Sequence, residues 1–353
     1  FLLSFRIPYG TSIFMQHIKH IIFCLIIFSN TCFGKEFDEL FVVYDPIDNP
    51  SKIEKSINNS FNTMIYRLSG TNSPSNIWKI INAGNSRKDF IKSYSIKNID
   101  NKSYLEVNFN KNLLISKFNN LSIPIIGKSR PVILFLINID SGLSDPYFLT
   151  FSENKFSLDL LIQNYLKQSV SSRGIFLELP ELDLLDKNEF DNYGKLINKY
   201  KYISDKHDFD DLININISKT GIETWSVSGD IEFEISSKKL DDFFMDQFIE
   251  LTNDRVNKLL QMELINTKKV NLVNVSIQNI FTYEDYKKSK EVIEGMVTIK
   301  EININKFNKN TISYQLSFFG DIDSLTNEFI SNNFFQVKDS SIENLSIDLS
   351  YVK

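Results

Sequence analysis

The stretch Pro131-Val132-Ile133-Leu134-Phe135-Leu136-Ile137-Asn138 constrains the fold more than any other part of the chain. Its apolar run is too short to cross a bilayer. It is rich in branched side chains and is bounded by Pro131 and by Asp140-Ser141-Gly142. Such a run predicts a strand buried on both faces. It also marks the point where one order of elements gives way to another.

Before it, residues 41–44 read as a short strand. Ser51 and Glu54 have capping-box spacing at the head of a helix, in which each can satisfy an open amide of the first turn. Ile53, Ile57, Phe61, Met64, Ile65 and Leu68 recur at helical spacing, and Ser69-Gly70 can end the helix. A shorter helix is predicted over 75–82, a hairpin over 94–97 and 104–109 around Asp100-Asn101, and a helix over 112–118. After the central run, Leu158, Leu161, Ile162, Tyr165 and Leu166 form one helical face that stops at Gly174. A strand over 175–179, helical segments over 182–190 and 193–199, and strands over 212–217 and 223–235 follow. This alternation is that of an α/β layer with an antiparallel edge.

A long helix carrying Leu240, Phe243, Phe244, Phe248, Leu251, Val256 and Leu259 on one side opens the last part. Then come a strand over 270–280 with Leu272, Val275 and Ile277 among its apolar positions, a helix over 283–293, a hairpin over 296–302 and 312–319, a helix over 324–330, and strands over 334–337 and 345–351. The order strand, helix, two strands, helix, strand is ferredoxin-like. The hairpin-then-helix of the first part echoes that of the last: Ile96-Lys97-Asn98-Ile99 before Leu105-Glu106-Val107, against Ile299-Lys300-Glu301-Ile302 before Tyr314-Gln315-Leu316. The expected class is therefore α+β, with small ferredoxin-like or split βαβ units flanking a central α/β domain with a mixed sheet. Expected boundaries are 1–34 for a leader, 35–127 for an N-terminal α+β domain, 128–237 for the central domain and 238–353 for the C-terminal domain.

With these landmarks placed, the chain resembles the DUF2066 family of gammaproteobacterial envelope proteins along nearly all of its length after residue 34. The resemblance rests on Ile65-Tyr66-Arg67-Leu68-Ser69-Gly70, Pro124 with Gly127, Ser129-Arg130-Pro131-Val132, Arg173-Gly174 through Pro180 and Asp183, and Leu212-Ile213-Asn214-Ile215 before Trp225. Ile126 stands where the family tends to place Trp. The resemblance implies location and architecture and brings no activity with it.

The N-terminal region carries a second signal. Met15 starts a polar segment with Lys19, the apolar run 21–28 follows, and small residues stand at Cys32 and Gly34. This is the pattern of a secretory signal over residues 15–34, cleaved after Gly34, with residues 1–14 read as a mis-set start or an upstream extension. Membrane association is expected only if that segment is retained. Cys24 and Cys32, the two cysteines of the chain, both lie in it, so the remainder has neither disulfide nor thiol chemistry. His207 is the histidine left outside it. The formal charge is −5, and the leader holds two cations and no acid, so the remainder carries −7. An acidic balance argues against a nucleic-acid partner, since phosphate binding needs a basic face. One alanine, Ala83, among many Ile, Asn, Lys and Phe reads as AT-rich coding composition and weakens propensity arguments.

Candidate chemistry is sparse. Gly127-Lys128-Ser129 resembles the end of a phosphate loop, but Ser122 stands where that loop needs Gly and a strand follows where it needs a helix. No cofactor is expected. Asp205, His207, Asp208, Asp210 and Asp211 form an acidic cluster without the spacing of a calcium loop, so no metal site is expected. Pro180, Glu181, Asp183 and Asp186 follow the strand over 175–179, and the carboxyl ends of strands are where α/β sheets bind ligands. These four are the candidate binding residues, although acids also lead helices. No catalytic residue is expected. The sequence thus points to an exported periplasmic, non-catalytic binding or assembly module of the cell envelope with an envelope protein as partner. The alternatives are a metal-dependent or carboxylate hydrolase using the acidic loop after Pro180, and a small-molecule or lipid binder.

Overall fold

The computed structural model describes residues 35–47, 49, 52–99, 102–193 and 198–352. The leader, Ser51 and the Asp100-Asn101 turn lie outside the described residues. The described residues form one compact unit. Among the described residues no helix is long and apolar enough to cross a membrane.

Strands β1 (Lys35–Glu36) and β2 (Val42–Pro46) lead into helix α1 (Ile53–Ser69). The periodic apolar set does what its spacing requires: Ile57, Phe61, Met64, Ile65 and Leu68 are buried on one face of α1. The helix stops at Gly70, which takes a left-handed φ of 67° and donates its amide to Tyr66 O. Helix α2 (Ser75–Asn82), strands β3 (Ile91–Ile99) and β4 (Lys102–Phe109) and helix α3 (Lys111–Asn120) follow. β4 lies between β2 and β3 and is antiparallel to both, so β2 and β3 run parallel with a strand inserted between them. That is a split βαβ unit.

Two short strands, β5 (Ile125–Ile126) and β6 (Ser129–Arg130), lead to β7 (Val132–Asp140), the predicted central strand. Period two along β7 divides its side chains between two cores. Ile133, Phe135, Ile137 and Ile139 enter one, and Leu134 and Leu136 the other. Next come β8 (Tyr147–Phe148), α4 (Ser157–Arg173), β9 (Phe176–Glu178), α5 (Leu184–Tyr193), α6 (Lys199–Ser204), β10 (Asp211–Lys219), β11 (Thr224–Gly229) and β12 (Phe233–Ser236). The sheet order is β12-β11-β10-β7-β8, with β9 also on β7. β10 and β9 are both parallel to β7 and flank it, while β8, β11 and β12 supply antiparallel pairs. α4 covers one face through Leu158, Ile162 and Leu166, and Ile203 of α6 with Phe190 of α5 covers the other.

Details of this part differ from the sequence reading. Leu161, expected on the apolar face of α4, is 43% exposed. The helix expected over 193–199 falls largely on residues 194–197, which lie outside the described residues; a helix is found over 199–204. The single strand expected over 223–235 is broken after Gly229, whose φ is +113° and where an added Cβ would sit 2.2 Å from Asn214 O. Only glycine tolerates both that dihedral and that approach.

Helix α7 (Leu240–Met262) buries Leu240, Phe244, Phe248, Val256 and Leu260 beside α4 on the central sheet. Phe243, predicted on the same face, is 41% exposed and meets Phe233 edge-on instead, with ring centroids 4.9 Å apart. β13 (Leu264–Ile265) then pairs with β5. The last sheet is built from β14 (Val270–Gln278), α8 (Tyr283–Gly295), β15 (Ile299–Asn308), β16 (Thr311–Phe319), α9 (Ile322–Ile330), β17 (Phe335–Ser341) and β18 (Ser346–Tyr351). Its order is β15-β16-β14-β18-β17. Val273, Val275 and Ile277 of β14 face the core, so Leu272 has the opposite parity and is 53% exposed. β16 is inserted between β14 and β15, as β4 is between β2 and β3, and a helix follows each hairpin. The echo noted in sequence is thus a shared topology. The fold is α+β, with split βαβ units on either side of a mixed central sheet.

Three arginines from the stretches that carry the family resemblance lie buried together between α1 and α4. Arg67 Nε donates to Ser171 O at 2.7 Å and Nη1 to Val42 O at 2.6 Å. Arg130, fully buried, donates to Arg67 O at 2.9 Å and to Ile126 O at 3.3 Å. Arg173 reaches Gly70 O at 3.0 Å and Asn257 Oδ1 at 2.8 Å. Each guanidinium serves main-chain carbonyls that helix ends and short strands leave open. Burial lowers the pKa of Arg130 to about 9 and that of Arg67 to about 10.

Candidate functional site

The loop after β9 places the four predicted residues around one end of α5. Pro180 and Asp186 are buried, whereas Glu181 and Asp183 are exposed. Asp183 and Asp186 exchange hydrogen bonds: Asp183 N donates to Asp186 Oδ2 at 3.1 Å, and Asp186 N to Asp183 Oδ1 at 2.8 Å. This reciprocal pair starts α5 as a capping box does. Asp186 Oδ1 also accepts from Tyr202 Oη at 3.0 Å and from Lys206 Nζ. Desolvation pushes the Asp186 carboxyl up, but the bonds from Lys206, the Asp183 amide and Tyr202 outweigh it and hold the group below its ordinary range. The loop borders a cleft of about 620 Å³ that Phe151, Lys206 and His207 also line. Its buried carboxylate is committed to the helix start and to Lys206, so the cleft presents no idle buried acid.

The acidic cluster further along is dispersed by the strand it precedes. Asp210 Oδ2 accepts the amide of Val132 at 2.8 Å, and Asp211 meets Arg255 Nη1 at 3.3 Å. Among the described residues no group of three or more His, Cys, Asp or Glu is placed to hold a metal ion. Gly127-Lys128-Ser129 leads into β6, and Lys128 Nζ lies 3.3 Å from Glu36.

A second cleft, of about 550 Å³, opens between the carboxyl ends of β7 and β10. Ile139 and Ser141 border it from β7 and the residue after it, and Ile217 and Lys219 from β10. From β7 the chain leaves through α4 to β9 on one side, and from β10 it turns away to β11 on the other. Connections that depart in opposite directions leave a crevice outside the sheet, which is where open α/β sheets take ligands. The first turns of α4 and α7 close the cleft from above, and Ser157 Oγ ties them by donating to Asp241 Oδ2 at 2.6 Å. Trp225 of β11 forms a side wall, its indole Nε1 donating to Ser237 Oγ at 3.2 Å. The volume falls within the roughly 300–1,000 Å³ of small-molecule sites.

Asp159 is the polar residue at the foot of this cleft, and it is fully buried. Its Oδ2 accepts from Tyr147 Oη at 2.8 Å, from Lys155 N at 2.7 Å and from Phe156 N at 3.3 Å. Its Oδ1 has no hydrogen-bond partner. Burial and the bond to Asp159 push the Tyr147 hydroxyl well above its ordinary pKa, so it stays a donor at neutral pH.

The sequence reading did not take Asp159, Trp225 or Ser141 as site residues. It placed the site after β9, where acids are dense, because the strand beside β7 at its other edge could not be known. The available signal was indirect: the small pair Ser141-Gly142 after a doubly buried strand, and an acid three residues into the next helix. Comparison of the chain with protein families, with curated proteins and with solved structures finds no match.

Proposed function

We propose that this chain is an exported, non-catalytic binding module of the bacterial cell envelope, of the DUF2066 type, and that the cleft between β7 and β10 is where it takes its ligand. The observation that carries the binding reading is the position of that cleft at the reversal of the parallel strands, with a buried, half-satisfied carboxylate at its foot. The export reading is supported by the leader pattern of residues 15–34 and by the lack of cysteine after Cys32. An assembly role would use the same cleft to sense whether its ligand is present.

The test is made on protein taken from fractionated cells under mild conditions. N-terminal sequencing should begin at Lys35 in the periplasmic fraction. Native mass spectrometry should show a small molecule above the polypeptide mass, with lower occupancy in Trp225→Ala. A cytosolic protein with an intact leader would sink the export half. A bare polypeptide mass that no envelope extract alters would sink the binding half.

A further inference from the structure

We propose that the cleft between β7 and β10 selects its ligand through a hydrogen-bond donor, an amine or hydroxyl on an apolar body, delivered to Asp159 Oδ1. This rests on the reading of that cleft as the ligand site and adds the chemistry by which it chooses.

Asp159 is split in its duties. Three donors converge on Oδ2, while Oδ1, in the same fully buried side chain, receives none. A buried acceptor without a donor is costly, and native proteins almost always supply one. Two neighbouring side-chain donors are already spent: the Ser157 hydroxyl goes to Asp241 and the Trp225 indole to Ser237. A donor carried by what fills the cleft would complete Asp159. The rest of the lining sets the body of that molecule. Ile139, Ile217 and Leu240 are buried apolar walls, and Trp225 offers an aromatic face.

Charge disfavours the opposite choice, an anion at the helix ends. Two helix N-termini point at the cleft, but each already has its acid: Asp159 in the first turn of α4, and Asp241 and Asp242 in that of α7. Lys219 and Lys238 stand at the exposed rim. The lining thus sets three carboxylates, Asp159, Asp241 and Asp242, against an anion and offers it only the two rim lysines.

The test uses the full exported chain carrying Trp78→Phe, which leaves Trp225 as the only indole. Its emission is titrated with three probes of matched size: 2-phenylethylamine, 2-phenylethanol and 3-phenylpropanoate. The amine and alcohol should give saturable changes, and the carboxylate should bind about tenfold or more weakly, the scale of one hydrogen bond to a charged group. The separate amine and alcohol arms show which donor the site prefers. In Asp159→Asn the three donors hold the amide oxygen in the Oδ2 place, so the NH₂ replaces Oδ1 and the order should invert in favour of the carboxylate. A thermal melt checks that this variant is folded, and the ranking on the Asp159 protein stands without it. Equal or tighter binding of the carboxylate by the Asp159 protein, or an unchanged order in folded Asp159→Asn, overturns donor selection and leaves the cleft as a ligand site. Failure of all three probes to give a saturable change overturns both.

Discussion

Arg130 shows how much a single side chain can hold. It is fully buried, and its guanidinium donates to carbonyls of α1 and of the β5–β6 segment. Arg130→Leu removes a buried cation but strands Arg67 O and Ile126 O. Each unsatisfied carbonyl costs about 1–3 kcal/mol, so the variant should lose about 2–4 kcal/mol in urea denaturation. A loss below about 1 kcal/mol would mean that water replaces the side chain. The sequence reading placed the three arginines in the stretches that carry the resemblance, and their geometry is that of internal connectors. Their convergence was not legible, because Arg67, Arg130 and Arg173 stand on three different elements. Gly70 and Gly174 were legible, since a glycine after a periodic run marks a left-handed helix end. Gly229 was not: its need for glycine comes from Asn214 O on the neighbouring strand.

At the scale of elements, helix starts were read less well than helix faces. α9 was expected from Ser324, yet it begins at Ile322 with Asp321 as its cap. Asp321 Oδ1 accepts from Ser324 N at 2.8 Å and from Ser324 Oγ at 2.7 Å, and these bonds lower the carboxyl pKa. A carboxyl depressed on folding contributes stability above its unfolded pKa, about 3.9, that is lost as pH falls through the folded value. Asp321→Ala should therefore cost about 1 kcal/mol at pH 7. The gap between variant and parent should close in thermal melts taken from pH 4 down toward pH 2. A gap independent of pH would show that the carboxylate charge is not what caps α9. Asp186 at the head of α5 has a lowered pKa and follows the same sign.

For the whole molecule, α7 is decisive. Five of its side chains, Leu240, Phe244, Phe248, Val256 and Leu260, belong to the core of the central sheet. Fully burying such a side chain stabilises by about 1.5–3 kcal/mol, so five together rival the roughly 5–15 kcal/mol net stability of an ordinary protein. A fragment of residues 35–236 should lack a fixed central core, seen as lost near-ultraviolet circular dichroism and dye binding to exposed apolar surface. A sharp native-like melt of that fragment would contradict the assignment. The first and last sheets are joined through a shared core as well: Ile265, Val297 and Phe319 sit in the core built mainly by α1, α3 and β4.

From local order alone the chain specified its doubly buried strand, most of its helix faces, the α+β class and the split βαβ order. Those properties depend on side-chain period and on breakers a few residues away. Only the tertiary structure decided that β10 lies beside β7, that α7 roofs the central sheet, and that Asp159 is buried with one oxygen unanswered. The physical reason is separation along the chain. Ile139 and Ile217 face each other in register across two strands, and no residue near either one records that it has the other as a neighbour.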